Sequence, residues 1–569
     1  ISGGLDTDLC SLNNLVLFAQ AGNLVGFLLA IDARRNAAGQ IVCGVNADAD
    51  PTNDRPDCVP INVFGAGAPS QAALDFVNTT ATREERASQL QISAFMSGDL
   101  SQLFELPGGP IGFALGAEYR REKARSVFDP LTASGGTFLN AIQPFLPPTL
   151  EVQEVFGEIR IPLLADLPFA QELTLEAAAR YSDYNLGNTD TTFAYNLGAV
   201  WAPVRDIRFR GNYSHSVRVP TQSDLFSPFS QNFAFIADPC DAQNIGIGNR
   251  AQNCADAGVP LVATQALVDI CQSSPTPVAL GDPFINCTAR AFSTGFLSGG
   301  NPTLEEETGK SWTVGAVIQP RWIPGLSISV DYYNIDVENL IATLGAQTII
   351  NECYGSAQGI NNPFCATVSR DPATGLFNDP AVISGGVNFA RQKTEGVDFE
   401  IAYRRTFDNG HRLSARAIAT YVMTLDNYTD PTFPEAPNRQ RSELGDPVFG
   451  ANLNLNYDFG RWDLSYRLRY IGRQTLAAYE TQNSFQGVCT ATYVAAIGCT
   501  LNEITTLPPT NEDAFPRVWF PDVFYHSARI GYEVNERFSF YGGVDNITDR
   551  LPPLGDLGTA GGSPFDSVG

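Results

Sequence analysis

The residues with the most reactive chemistry are eleven cysteines: Cys10, Cys43, Cys58, Cys240, Cys254, Cys271, Cys287, Cys353, Cys365, Cys489 and Cys499. A cysteine can attack a substrate, hold zinc or pair into a disulfide, and spacing separates these uses. No Cys-x-x-Cys knuckle occurs, and His215, His411 and His526 are the only histidines available to complete a metal site. The cysteines fall instead as near neighbours, 43/58, 240/254, 271/287, 353/365 and 489/499, leaving Cys10 unpaired. Local disulfides follow, and with them an oxidising compartment. Closing a loop of about 15 residues stabilises by roughly 3 kcal/mol in the chain-entropy picture. No Gly-x-Ser-x-Gly, His-Glu-x-x-His or P-loop is present, so no catalytic residue, metal ligand or cofactor is assigned and an enzyme has no support.

The elements carrying these loops announce themselves by alternation. Leu453, Leu455, Tyr457 and Phe459 oppose Asn452, Asn454, Asn456 and Asp458, and Leu464, Tyr466, Leu468 and Tyr470 oppose Ser465, Arg467 and Arg469. A period of two is the mark of strands with unlike faces. Fourteen such segments begin near residues 90, 111, 152, 173, 192, 207, 311, 326, 388, 413, 450, 462, 524 and 538. The fold class is all-β. Lys plus Arg number 36 against 61 Asp plus Glu, a balance of −25 that excludes a nucleic-acid backbone as partner. With 44% apolar residues, and Gly and Pro scattered through the chain, disorder is excluded as well. The window from Leu12 to Ile31 is interrupted by Asn13, Asn14, Gln20 and Asn23, too polar for a membrane helix and suited to a partly buried loop helix.

Connection lengths set the architecture. Short turns (202–206, 320–325, 406–412, 460–461, 534–537) alternate with long stretches (121–151, 217–310, 336–387, 423–448, 472–523). Outer-membrane barrels sort their loops in this way, with tight periplasmic turns and long extracellular loops. Every cysteine lies in the N-terminal segment or in a long connection. Trp201, Trp322 and Trp462 near the short turns, and Tyr119, Tyr181, Tyr213, Tyr332, Tyr421 and Tyr470 toward the long loops, suit two aromatic girdles. An arginine facing lipid at mid-bilayer costs about 2–4 kcal/mol. Arg208, Arg210, Arg416, Arg467, Arg469 and Arg529 are therefore expected to face the lumen. There they either pair with wall carboxylates or hold a plug and line a solute path.

Four stretches resemble the TonB-dependent outer-membrane receptors. "RFRGNYSHSVRVPTQSDLFSP" (208–228) carries an Arg-x-Pro motif that adds Arg218 to the lumen-facing candidates, and "GNPTLEEETGKSWTVGAVIQP" (300–320) resembles the family's Asn-Pro-x-Leu segment. "QKTEGVDFEIAYR" (392–404) and "GGVDNITDRLPP" (542–553) follow in the family's order. The likeness covers about residues 40–569. It implies a plugged barrel of 22 strands in the outer membrane, with outer-membrane lipid, the energising protein TonB and a scarce nutrient as partners. A passive porin, or a secreted glycan-binding adhesin, is the alternative. Family members that capture haem usually use a histidine near the Asn-Pro-x-Leu segment, and 218–301 holds none. Siderophores, glycans and peptides fit equally. The expected organisation is an extracellular segment with a short helix over 1–87 and a partial barrel over 88–569, lacking the family's plug and final strand. Fourteen strands of 22 read as a fragment, expected to form an open curved sheet or a strained closure.

Overall fold

A computed structural model describes residues 23–551 apart from 66, 138–140, 430, 432–433, 436 and 476–518. Fourteen long strands carry the fold: β1 (Arg83–Asp99), β2 (Gly112–Phe128), β3 (Leu150–Leu167), β4 (Ala170–Tyr184), β5 (Thr191–Val204), β6 (Ile207–Arg218) and β7 (Glu307–Ile318), then β8 (Leu326–Thr343), β9 (Phe377–Thr406), β10 (Arg412–Tyr428), β11 (Phe449–Phe459), β12 (Trp462–Ile471), β13 (Val523–Asn535) and β14 (Phe538–Val544). Each pairs antiparallel with the next. Their order runs round a barrel that brings β14 back beside β1. Residue-by-residue pairing, however, joins β1 only to β2 and β14 only to β13. Every residue of both strands is exposed, so the pairing register, not the ring order, describes this seam.

Register makes the sheet two-faced. One row across neighbouring strands reads Phe209, Ala316, Val330, Phe399, Ala419, Ala451, Tyr470 and Phe524. One residue along, the row reads Arg210, Gly315, Asp331, Asp398, Thr420 and Gly450. Because side chains alternate faces strictly, a one-residue slip would exchange the two sets. The apolar face is left uncovered by the rest of the chain: Leu115, Leu197 and Val314 are each just over half exposed. An apolar surface of that extent belongs against lipid or another apolar partner rather than water.

Aromatic pairs edge this face at both ends. Trp201 stacks on Phe209 at 5.6 Å and Trp462 meets Tyr532 at 4.4 Å near the short turns. Trp312–Tyr332 at 5.0 Å and Tyr470–Phe524 at 4.8 Å lie toward the long connections. From Trp462 to Tyr470 the strand covers about 27 Å, or about 20 Å at a 40° tilt, close to the apolar band of an outer-membrane barrel. No helix among the described residues is long and apolar enough to cross a membrane.

The short turns are tight for identifiable reasons. Gly460 takes φ +63° in the two-residue β11–β12 turn. Gly325 sits at φ +90° before β8, where an added Cβ would collide with the Arg404 carbonyl. At the opposite end, Asn23 caps the helix Leu24–Ile31 and Ser70 caps Gln71–Val77. Phe27, Ala30, Ile61, Ala73 and Val77 bury a small core between these helices.

Candidate functional site

Two regions could act on a solute: the polar face of the sheet and the long connections above it. Register places Arg208, Arg210, Arg218, Arg416, Arg467, Arg469 and Arg529 together on the polar face. Most are held by near neighbours. Arg210 forks onto Asp331, both contacts at 2.6 Å, and Arg416 meets Glu400 at 2.7 Å. Arg208 reaches Glu172 at 3.0 Å, and Arg218 bridges Glu307 (2.6 Å) and Asp224 (3.1 Å). Arg467 donates to Asn454 at 3.3 Å, Arg529 lies 4.2 Å over the Tyr541 ring, and Arg469 is also engaged. A wall built this way offers hydrogen bonds, with its charges largely neutralised in place; exposed pairs of this kind add little stability.

The connections form a folded cap. The 219–306 connection holds helices Gln222–Phe226, Arg250–Asp256, Gln265–Cys271 and Cys287–Ala291, and 344–376 holds Ala346–Gly355. Read from sequence alone, these loops have no sheet to rest on. In the structure Ser230–Ala234 pairs with Thr294–Gly299, which runs parallel to the start of β9. Leu267, Phe284 and Ile350 are fully buried in a core shared by both connections. The structure bonds Cys240–Cys254, Cys271–Cys287 and Cys353–Cys365 within this cap, and Cys43–Cys58 in the N-terminal segment. Cys10, Cys489 and Cys499 lie outside the described residues.

A buried ion pair locks the two connections. Arg370, 8% exposed, meets Asp238, 1% exposed, at 2.7 Å, with its guanidinium 3.9 Å over Phe377 and 4.9 Å over Tyr354. Asp238 also accepts from the Asn286 amide at 2.6 Å and the Cys240 N–H at 2.9 Å. Burial pushes the Tyr354 hydroxyl's pKa up, and the adjacent Arg370 pulls it part of the way back. Nearby, the Thr374 and Ala373 amides hold the Asp371 carboxyl below its ordinary range. Beside this core lies an apolar cavity of about 440 Å³ lined by Phe229, Leu344, Phe364, Ile383 and Phe389 among others. Sequence reasoning missed the pair, the cap core and this cavity. The cap helices run only five to ten residues, too short for a 3.6-residue period to show. Cysteine density was the one signal over this region.

Among the described residues no group of His, Cys, Asp and Glu is placed to hold a metal ion. Residues 59–547 match the family model described as TonB dependent receptor-like, beta-barrel. Among solved structures the chain is similar to a ferric enterobactin receptor (PfeA) mutant from Pseudomonas aeruginosa, at 13% identity over 82% of this chain and 49% of that one, TM-score 0.46. It is similar to the siderophore receptor PirA from Acinetobacter baumannii, at 13% identity over 82% and 51%, TM-score 0.46. P. aeruginosa FpvA bound to heterologous pyoverdines gives 12% identity over 83% and 45%, TM-score 0.44. No curated protein matches. The chain thus spans about half the length of these solved structures.

Proposed function

Because the chain belongs to the TonB-dependent receptor-like β-barrel family, we propose that it forms wall and extracellular cap of an outer-membrane receptor. That receptor takes up a scarce nutrient of the siderophore, glycan or peptide class, driven through TonB. The observation that carries this reading is the combination of a two-faced sheet and a folded cap. The apolar face suits lipid, the polar face suits a lumen, and the seven arginines then line that lumen. The cap supports solute capture, since a cavity of about 440 Å³ is within the range that holds small ligands. No catalytic role is proposed. The test is growth of a deletion strain on iron-limited and on glycan- or peptide-supplemented media, with and without TonB. A TonB-dependent defect confined to one nutrient supports the reading. Uptake that continues without TonB overturns it in favour of a passive porin.

A further inference from the structure

We propose that a crevice on the apolar side of the sheet, at the loop ends of β10, β11 and β12, binds the phosphate-bearing head group of a membrane lipid. The inference rests on the reading above, in which that side meets lipid. Tyr421 pairs with Phe449 across β10 and β11, and the Phe449 ring lies 5.8 Å from Tyr470 on β12. These rings stand at the loop end of the apolar band, the level at which an aromatic girdle meets head groups.

Beyond them opens a cavity of about 750 Å³ that takes in Arg439, Arg441 and Arg473. Arg441 donates to the Tyr421 hydroxyl at 3.3 Å, which fixes it on the apolar side, and its Nε has no hydrogen-bond partner among the described residues. Arg473 lies 4.8 Å over the Trp519 ring and has no ion pair among the described residues. The cavity's carboxylates are Asp426 and Asp522, and Asp522 already accepts from the Tyr470 hydroxyl and the Arg473 amide, both at 2.8 Å. Three guanidinium groups against two carboxylates give a cationic bias to one spot on a chain of net charge −25. Forked guanidinium groups suit phosphate oxygens, and an aromatic ledge suits the join between head group and acyl chain. The crevice opens on the face opposite the polar wall, so a transported solute is the poorer occupant.

The test reconstitutes the full chain into vesicles of phosphatidylcholine, with and without phosphatidylglycerol, and counts lipid retained on the released protein by native mass spectrometry. Wild type is expected to retain phosphatidylglycerol roughly tenfold better than the Arg441→Gln/Arg473→Gln variant, and the Arg441→Lys/Arg473→Lys variant to fall between, since lysine keeps the charge and loses the fork. Heat-dependent gel mobility confirms that the variants assemble, and the lysine pair gives the readout if the glutamine pair does not. Equal retention in wild type and variants overturns the proposal. Displacement of the lipid by inorganic phosphate alone also overturns it, in favour of a free-anion site. Failure of wild type to insert into either vesicle overturns the membrane reading itself.

Discussion

Replacing Asp238 by Asn tests whether the cap is a built domain. The change keeps size and shape but removes the charge that faces Arg370, whose side chain is 8% exposed. It also puts an amide where the carboxylate accepts from Arg370, Asn286 and the Cys240 N–H. Removing one partner of a buried pair costs about 3–5 kcal/mol, because the remaining charge stays buried and uncompensated. At about 1.4 kcal/mol per decade, that is roughly two to three and a half orders of magnitude in the cap's opening equilibrium. Hydrogen exchange reads this directly. Amides in 236–300 and 344–376 should lose protection by that amount, while those of β2 to β8 and β10 to β13 stay unchanged. Adding Arg370→Met should recover most of the loss, since with both charges removed none is left buried and unpaired. Cap protection within about threefold of wild type in Asp238→Asn would refute the reasoning.

Three further outcomes follow. Leu468→Arg should block membrane assembly while Ser465→Arg is tolerated, because Leu468 pairs with Leu453 on the apolar face and Ser465 with Asn456 on the polar one; equal assembly in outer-membrane fractions would sink the face assignment. The Asp371 carboxyl, held low by the Thr374 and Ala373 amides, stabilises its loop fully above the ordinary value of 3.8, and that contribution is lost as pH falls through the depressed value. Protease resistance of the 368–377 turn should therefore hold from neutral pH down to about 4 and drop below it, with Asp371→Asn showing no such step. Gly325→Ala should lower the unfolding midpoint by an amount equivalent to about 1–3 kcal/mol, since a residue with a Cβ is strained at φ +90° and meets the Arg404 carbonyl; an unchanged midpoint would show that the turn relaxes freely.

Where the sequence alternates strictly, strand positions were legible to within a few residues. The segments expected near residues 207, 326, 462 and 538 begin at Ile207, Leu326, Trp462 and Phe538. The errors lie on the loop side. β9 begins at Phe377, well before the alternation near 388, because Ser384, Gly385 and Gly386 interrupt its apolar positions. β1 begins at Arg83 because its charged start, Arg83 to Arg86, carries no apolar residue to mark a face. Strand backbone continues there for reasons of pairing rather than burial: Arg83 and Glu84 face Phe128 and Val127 across the ladder. The shared face of the arginines was legible from the alternation. Their partners were not, because Arg210 and Asp331 stand more than a hundred residues apart in sequence and meet only across β7.

That contrast explains why fold class is readable here and solute identity is not. A two-faced sheet imposes one rule on every strand, repeated each second residue, so fourteen weak signals add up to a strong one. A solute imposes its rule only on the few side chains that touch it, and under the reading proposed above those would sit on connections without period. The cap makes the difference concrete: Asp238, Asn286 and Arg370 converge from positions spread over more than 130 residues, and nothing at any one of them marks a neighbour. Cysteine spacing is the exception because a disulfide closes a short local loop, as Cys271–Cys287 does across a separation of 16. Local covalent rules survive in the sequence. Long-range recognition needs the folded cap before its residues can be counted together.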